Sequence, residues 1–473
     1  MKRNTFLLLL SFVPLFLFSK TYDVTDYHII PDGKHCNTHM IQTLIDRCSK
    51  EGGGNIVFPK GEYLTATIQL RDNITLVLEA GCVIYASSVF DDYPDHLSTY
   101  RGLIEANECE NVKIIGKGMI NASGDNTIFH NNKKEGRKGR LYALLLRKCK
   151  HVKVNDVFIS NPSFWTFRID DCDYVVVDNI KIKSVSYFNN DGIDIDGRHV
   201  VIKNSEIECI DDGICLKSYY KERPCENILV ENCTISSNCN AIKLGTASEG
   251  GFKKIIIRNC EVKAPKQNDY FDYKKYLIPG ITENYTNNSG IALELVDGGI
   301  MDDVYITDIK IQNSLTPIFI RHGERRNPPC GIMKNIKLNN IEAWGCSLMS
   351  SSITGQQANM PSDISLSNII IHCSGGGLYE HTLLKVPEPS NSYPENKIFG
   401  YSLPAYGFYV RNIENIVFEN ISIILQDKDE RHAFVFQNCK NAFMKNIKSE
   451  DHQTSILLIK ADKYSNVDID SLN

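Results

Sequence analysis

The chain has 473 residues and a net charge of −5, with 42% hydrophobic and 23% charged residues. These are ordinary fractions for a folded globular protein, and the mild negative charge excludes the basic footprint of a nucleic-acid binder or of a protein held on an anionic membrane surface. The length fits several domains or one long repeat fold.

In chain order, the first feature is residues 1–19. Lys2 and Arg3 precede an apolar run from Phe6 to about Phe18, and Ser19 supplies a small residue at a cut site. This is the pattern of a secretory signal peptide. The run is short for a membrane span, which needs ~20 apolar residues, and no Cys follows it to carry a lipid. The sequence therefore predicts a secreted or periplasmic mature chain, 20–473, forming one domain, monomeric and free of the membrane after signal removal.

Next comes THMIQTLIDRCSK, Thr38 to Lys50, which places Ile41, Leu44, Ile45 and Cys48 on one helical face. A glycine turn and strand-like segments follow in EGGGNIVFPKGEYLTATIQL. A short amphipathic helix here closes the open end of a repeat core, whose strand edges need cover.

From His151 onward one unit recurs. It reads HVKVNDVFIS from His151, YVVVDNIKIKS from Tyr174 and HVVIKNSEIEC from His199, then starts again at Asn227, Lys254, Asp303, Asn335, Asp363 and Asn415. Most starts lie about 23 to 32 residues apart, within the range of solenoid repeats. Two intervals are about twice that and contain Pro/Tyr/Asn-rich stretches, 265–288 and 387–407, which read as loop insertions. Each unit alternates β-branched apolar residues with polar ones, the period of a strand. The Asn inside the unit (Asn179, Asn204, Asn232, Asn259, Asn340, Asn420) suits a left-handed turn. One strand-turn-strand coil per repeat predicts an all-β fold, a right-handed single-stranded parallel β-helix with an N-terminal capping helix. Of the sixteen Cys, Cys233 and Cys260 hold the same place in successive repeats and read as stacked core thiols rather than a disulfide.

Two acidic turns stand out, NNDGIDIDG from Asn189 and DDGICLKS from Asp211. They lie about one coil apart, and coils stack at ~4.8 Å, so Asp191 falls one layer from Asp211 and Asp212. Carboxylates this close resist ionising together, and at least one must hold its proton more tightly. A protonated carboxyl that donates to a leaving oxygen, beside an ionised one that activates water, is what glycoside hydrolysis requires. Asp194 and Asp196 are either turn residues or supports for Asp191. Paired aspartates also suit a hard cation such as calcium, but two-carboxylate hydrolysis needs no metal and no organic cofactor. Phe164 and Trp165 are either a stacking platform for a sugar ring or buried beneath a loop.

Several segments resemble glycoside hydrolase family 28, the polygalacturonase-like enzymes. IQTLIDRCSKEGGGNIVFPKGEYLTATIQLRDNITLVLEAGCVI is similar to the family's opening segment, and NPSFWTFRI to its N-S-P-x-W element. NNDGIDI resembles N-T-D-G, with Asn190 for Thr, and DDGICLKS resembles D-D-C-I-A-I-K-S, with Gly213 for Cys. The resemblance implies a right-handed parallel β-helix that hydrolyses a pectic polysaccharide or oligosaccharide with inversion. It also implies that Asp212 is the general acid and that Asp191 and Asp211 position and deprotonate water, with Asn189 beside them.

Two departures bear on the substrate. Where the family has G-H-G the chain has Cys239, Asn240 and Ala241, and where it has R-I-K the chain has Ala292, Leu293 and Glu294. Glu294 repels an anionic sugar. Either another cation takes over (Lys217, Lys243, Arg321, His322, Arg325 and Arg326 are the candidates) or the sugar in that subsite is neutral. Trp165, Asn189, Lys217, Asn240, Lys243, Glu294 and Arg321 are thus the expected substrate contacts. A polysaccharide lyase and a non-catalytic carbohydrate-binding solenoid remain the competing readings.

Overall fold

The computed structural model describes residues 20–93, 101–130, 139–266, 287–326, 330–450 and 459–470. The signal-like segment 1–19 lies outside them, as does nearly all of the 265–288 insertion. Every pairing between named strands in this part of the chain is parallel, and the strands join into one continuous sheet of coils, the predicted parallel β-helix.

The alternation read from the sequence sets the core. In Gly54–Phe58 and Ile74–Leu78 every second residue is buried. Inward residues stack coil upon coil: Ile56 on Leu76, then Ile114, Val154, Val177, Ile202, Val230 and Ile257. One hydrophobic cluster built this way extends from Tyr22 to Ile447. The helix spans Thr38–Lys50 and buries Ile41, Leu44, Ile45 and Cys48 against its N-terminal end.

The turns follow their Asn residues. Asn179, Asn204, Asn232, Asn259, Asn340 and Asn420 all have φ between 49° and 55°. Their side chains also join neighbouring coils: Asn232 Nδ2 donates to Asn204 Oδ1 (3.0 Å), and Asn259 Nδ2 to Asn232 Oδ1 (2.7 Å). A second left-handed position sits at the start of each repeat, at Asn or Asp in Asn227, Asp303, Asn335, Asp363 and Asn415 but at bulkier residues in the first three repeats. There His151, Tyr174 and His199 have φ of 56°, 58° and 55°. Such angles are unusual for bulky residues; here the rings stack on one another, with centroids 5.0 and 4.7 Å apart. All sixteen thiols are free, and Cys233 and Cys260 are buried in the core.

The described insertion forms a strap along one flank. Arg411 donates to the Val386 and Pro387 carbonyls (3.0 and 2.9 Å), Arg321 Nη2 to the Pro389 carbonyl (3.1 Å), and Glu324 N–H to the Ser390 carbonyl (2.8 Å). Asn396 ends the run by donating to the Asn288 carbonyl at 2.7 Å. The strap thus crosses several coils towards the acidic turns.

Candidate active site

Strand register brings the acidic turns together. Ile193 pairs with Ile214 and Ile214 with Ile242, so Asp191, Asp212 and Asn240 occupy equivalent places on three successive coils. The backbone ladder continues through them: Gly192 N–H donates to the Asp212 carbonyl (2.9 Å) and Gly213 N–H to the Asn240 carbonyl (2.8 Å). Asn190, in the place of the expected Thr, pins the first turn. Its Oδ1 accepts from the Ser186 and Tyr187 N–H groups, and its Nδ2 donates to the Pro162 and Phe164 carbonyls.

Glycine is required beside the aspartates. A Cβ on Gly213 would lie 2.5 Å from both the Ala241 carbonyl oxygen and Ile235 Cγ2. Gly213→Ala must therefore displace the neighbouring coil. It is expected to destabilise the fold by about 1–3 kcal/mol through overpacking and to weaken any activity that depends on Asp212, as a denaturant titration and an activity assay on the same preparation will show.

The three aspartates differ in charge state. Asp212 is buried, which by itself favours the neutral form, but Lys243 and Lys217 outweigh this and bring its pKa down to about 2. Lys243 Nζ lies 3.0 Å and Lys217 Nζ 3.9 Å from Asp212 Oδ2, while Asn240 Nδ2 donates to Asp212 Oδ1 at 2.9 Å. Asp191 moves the opposite way: burial, and then Asp211, Asp194 and Asp212, push its pKa well up, and its Oδ1 has no hydrogen-bond partner. Asp211 is also raised, by burial and by Asp212. It remains partly open to solvent, gives Oδ1 to the Asp212 N–H (2.9 Å) and accepts from Asn189 Nδ2 (3.3 Å).

The expectation that Asp212 supplies the proton meets a carboxylate whose ionised form Lys243, Lys217 and Asn240 favour, while Asp191 and Asp211 are the groups shifted upward. Nor does the cluster suit calcium. Asp211, Asp212 and Cys239 bring one ligand atom each within 4.8 Å, but both Asp212 oxygens already have donors, and a thiol is a poor partner for a hard cation.

Asp194 and Asp196 form a buried ledge. Asp194 pairs with Lys217 (3.3 Å), and Asp196 accepts from the Tyr219 N–H (2.9 Å). Burial raises their pKa values to about 6 and about 7. Two coils beyond Asp212, Glu294 is fully buried, 3.5 Å from Lys243 Nζ, and accepts from Thr246 Oγ1 at 3.1 Å. Burial, opposed chiefly by Lys243, lifts Glu294 to about 7.

Of the two aromatic residues, Phe164 is buried against Tyr142 and Leu145, while Trp165 is half-buried and stacks on Phe164 with centroids 5.0 Å apart. Lys217 Nζ and the Arg168 guanidinium lie 5.1 and 5.6 Å from the Trp165 ring centroid. Trp165 thus flanks the aspartates on the N-terminal side with a surface open to a ligand.

Arg321 needs a second correction. It is 1% exposed and bonded to Thr354 Oγ1 and to the strap carbonyl of Pro389, so it anchors the strap rather than facing a ligand. His322 is buried on the same strand and bonded to the Gly331 carbonyl (2.9 Å). Arg325 pairs through two bonds with Asp297, and Arg326 forms an exposed pair with Glu249. Sequence reasoning missed Arg168, Tyr219, Thr246 and Tyr393. Arg168 lies inside NPSFWTFRI and Tyr393 inside the 387–407 insertion, but only folding brings them, Tyr219 and Thr246 to the site.

The family model described as "Glycosyl hydrolases family 28" matches residues 48–268, which hold Trp165 and all three aspartates. This stretch of the chain is similar to glycoside hydrolase family 28. The chain is 23% identical over 311 residues to an exo-poly-alpha-D-galacturonosidase of Dickeya chrysanthemi, covering 53% of this chain and 51% of that protein. It is 26% identical over 247 residues to rhamnogalacturonase A of Emericella nidulans, covering 51% of this chain and 44% of that one. The chain therefore spans about half the length of these curated relatives. The solved family 28 exopolygalacturonase of Yersinia enterocolitica shares the fold, with a TM-score of 0.65 and 16% identity over 90% of this chain and 78% of that one. Within the family 28 frame, the unusual Asn240 and Glu294 belong to one network, which Lys243 joins to Asp212.

Proposed function

We propose that the protein is a secreted glycoside hydrolase that cleaves a pectic polysaccharide of galacturonan or rhamnogalacturonan type. The observation that carries this reading is the carboxylate cluster itself: Asp212 held by Lys243, Lys217 and Asn240, with Asp211 shifted upward by burial and partly open beside it. Asp211 donates its proton to the glycosidic oxygen as the bond breaks. Asp212 takes the proton of the attacking water, which the neutral Asp191 orients through its unpartnered oxygen. Trp165 holds a sugar ring beside them.

The stereochemistry proposed is inversion. An oxygen of Asp211 lies within 4.8 Å of one of Asp212, closer than the ~6.5–9.5 Å usual for an inverting pair. That spacing is nearer the ~5–5.5 Å of a retaining pair, so inversion rests on the family resemblance, and proton NMR of the first product is expected to show the inverted anomer. The strap supports exo action, because it closes the flank that lies C-terminal to the aspartates.

The deciding experiment is product analysis on homogalacturonan, rhamnogalacturonan and their oligosaccharides. New reducing ends and single-unit or short products are expected. An unsaturated product absorbing in the near ultraviolet would identify a lyase instead, and tight binding without any product would identify a carbohydrate-binding solenoid. Secretion is checked by N-terminal sequencing of exported protein, which is expected to begin near Lys20.

A further inference from the structure

Resting on the hydrolase reading, we infer that Tyr393 forms a subsite on the C-terminal side of the aspartates for an uncharged sugar unit, and that the charge pairs beneath it exclude a uronate. Tyr393 sits on the strap and is 49% exposed, the accessible surface at this end of the cluster. Its hydroxyl meets Thr246 Oγ1 at 3.1 Å, which ties the ring to the coil that carries Lys243.

Two cations touch this ring, and the structure spends both internally. Lys243 Nζ lies 5.6 Å from the ring centroid, 3.0 Å from Asp212 and 3.5 Å from Glu294. The Arg325 guanidinium lies 5.7 Å from the centroid and is held through Nε and Nη2 by the two oxygens of Asp297 (3.0 and 2.5 Å). A uronate carboxylate arriving here would find neither cation free, and Glu294 and Asp297 close by. An uncharged pyranose loses nothing by this and gains the tyrosine face. Of the two explanations for the missing Arg/Lys pair, this arrangement selects the neutral subsite.

The test compares an oligogalacturonide, its methyl ester, and an oligosaccharide alternating rhamnose with galacturonate, at matched length. Hydrolysis is measured by kcat/KM, and binding by titration calorimetry. Wild type is expected to favour the two probes that offer an uncharged unit at least tenfold over the oligogalacturonide, in binding as in turnover. Tyr393→Ala should abolish that preference, chiefly through KM. Asp297→Asn, which releases Arg325, should shift selectivity about tenfold towards the oligogalacturonide. Equal or tighter binding of the oligogalacturonide by wild type would overturn the inference while leaving hydrolysis intact. Preference in binding without turnover of any probe would sustain the subsite and defeat the hydrolase reading.

Discussion

Asp211→Asn is expected to lower kcat by about 10²–10⁴-fold, the range for removing a positioned general acid, with little change in folding. The reason is the contrast with Asp212. Asp211 is shifted upward and partly open, so of the two it is the better placed to carry a proton to a leaving oxygen. Asp212 is brought down to about 2 by Lys243 and Lys217 against the effect of burial, so it is ionised throughout the working range. The pH profile follows with a definite sign. Activity requires Asp212 ionised, so it rises through about pH 2. It also requires Asp211 protonated, so it falls as pH rises through Asp211's raised pKa. Asp211→Asn should erase the high-pH limb. It should also lose far less activity on an aryl glycoside whose leaving group needs no proton. Asp212→Asn should lose equally on both substrates. Rescue of Asp212→Asn, rather than Asp211→Asn, by the aryl leaving group would restore the assignment that the family resemblance implied.

The coils were legible in the sequence because each repeats the same local chemistry. An apolar residue faces inward at every second position, and an Asn sits where φ turns positive, as at Asn204 and Asn232. The acidic turns were legible for the same reason, since a motif on one coil stacks on the motif one repeat later. The division of labour among them was not. Asp212's charge state depends on Lys243 and Asn240 from the next coil as well as on Lys217 within its own motif, and nothing local to DDGICLKS reveals the first two. Arg321 was a candidate because a guanidinium can grip an anionic sugar; its burial under the strap depends on where the 387–407 insertion lands. Tyr393 is the strongest case. Its partner Thr246 lies far back in sequence, and the strap that joins them follows no repeat.

Lys243→Met is expected to destabilise the protein by about 3–5 kcal/mol, the usual consequence of removing one member of a buried ion pair. Lys243 is 1% exposed and bridges Asp212 and Glu294, so its loss strands two carboxyls where water does not reach. The loss should depend on pH. In the wild type, Asp212's lowered pKa contributes stability that is present at neutral pH and vanishes only as pH falls through about 2. Glu294 and Asp196 at about 7, and Asp194 at about 6, act in reverse: the fold binds their protons more tightly than the unfolded chain, so stability increases as pH drops from 7 towards 4. Without Lys243, Asp212 joins this second group. The melting-temperature deficit of the variant should therefore be largest at pH 8 and shrink at pH 5, where both stranded carboxyls take up protons. Adding Glu294→Gln should recover part of the stability and none of the activity, because Asp212 would still lack the cation that keeps it ionised. A deficit of equal size at both pH values would mean that Lys243 contributes packing alone, and the charge network would then have no part in setting Asp212's role.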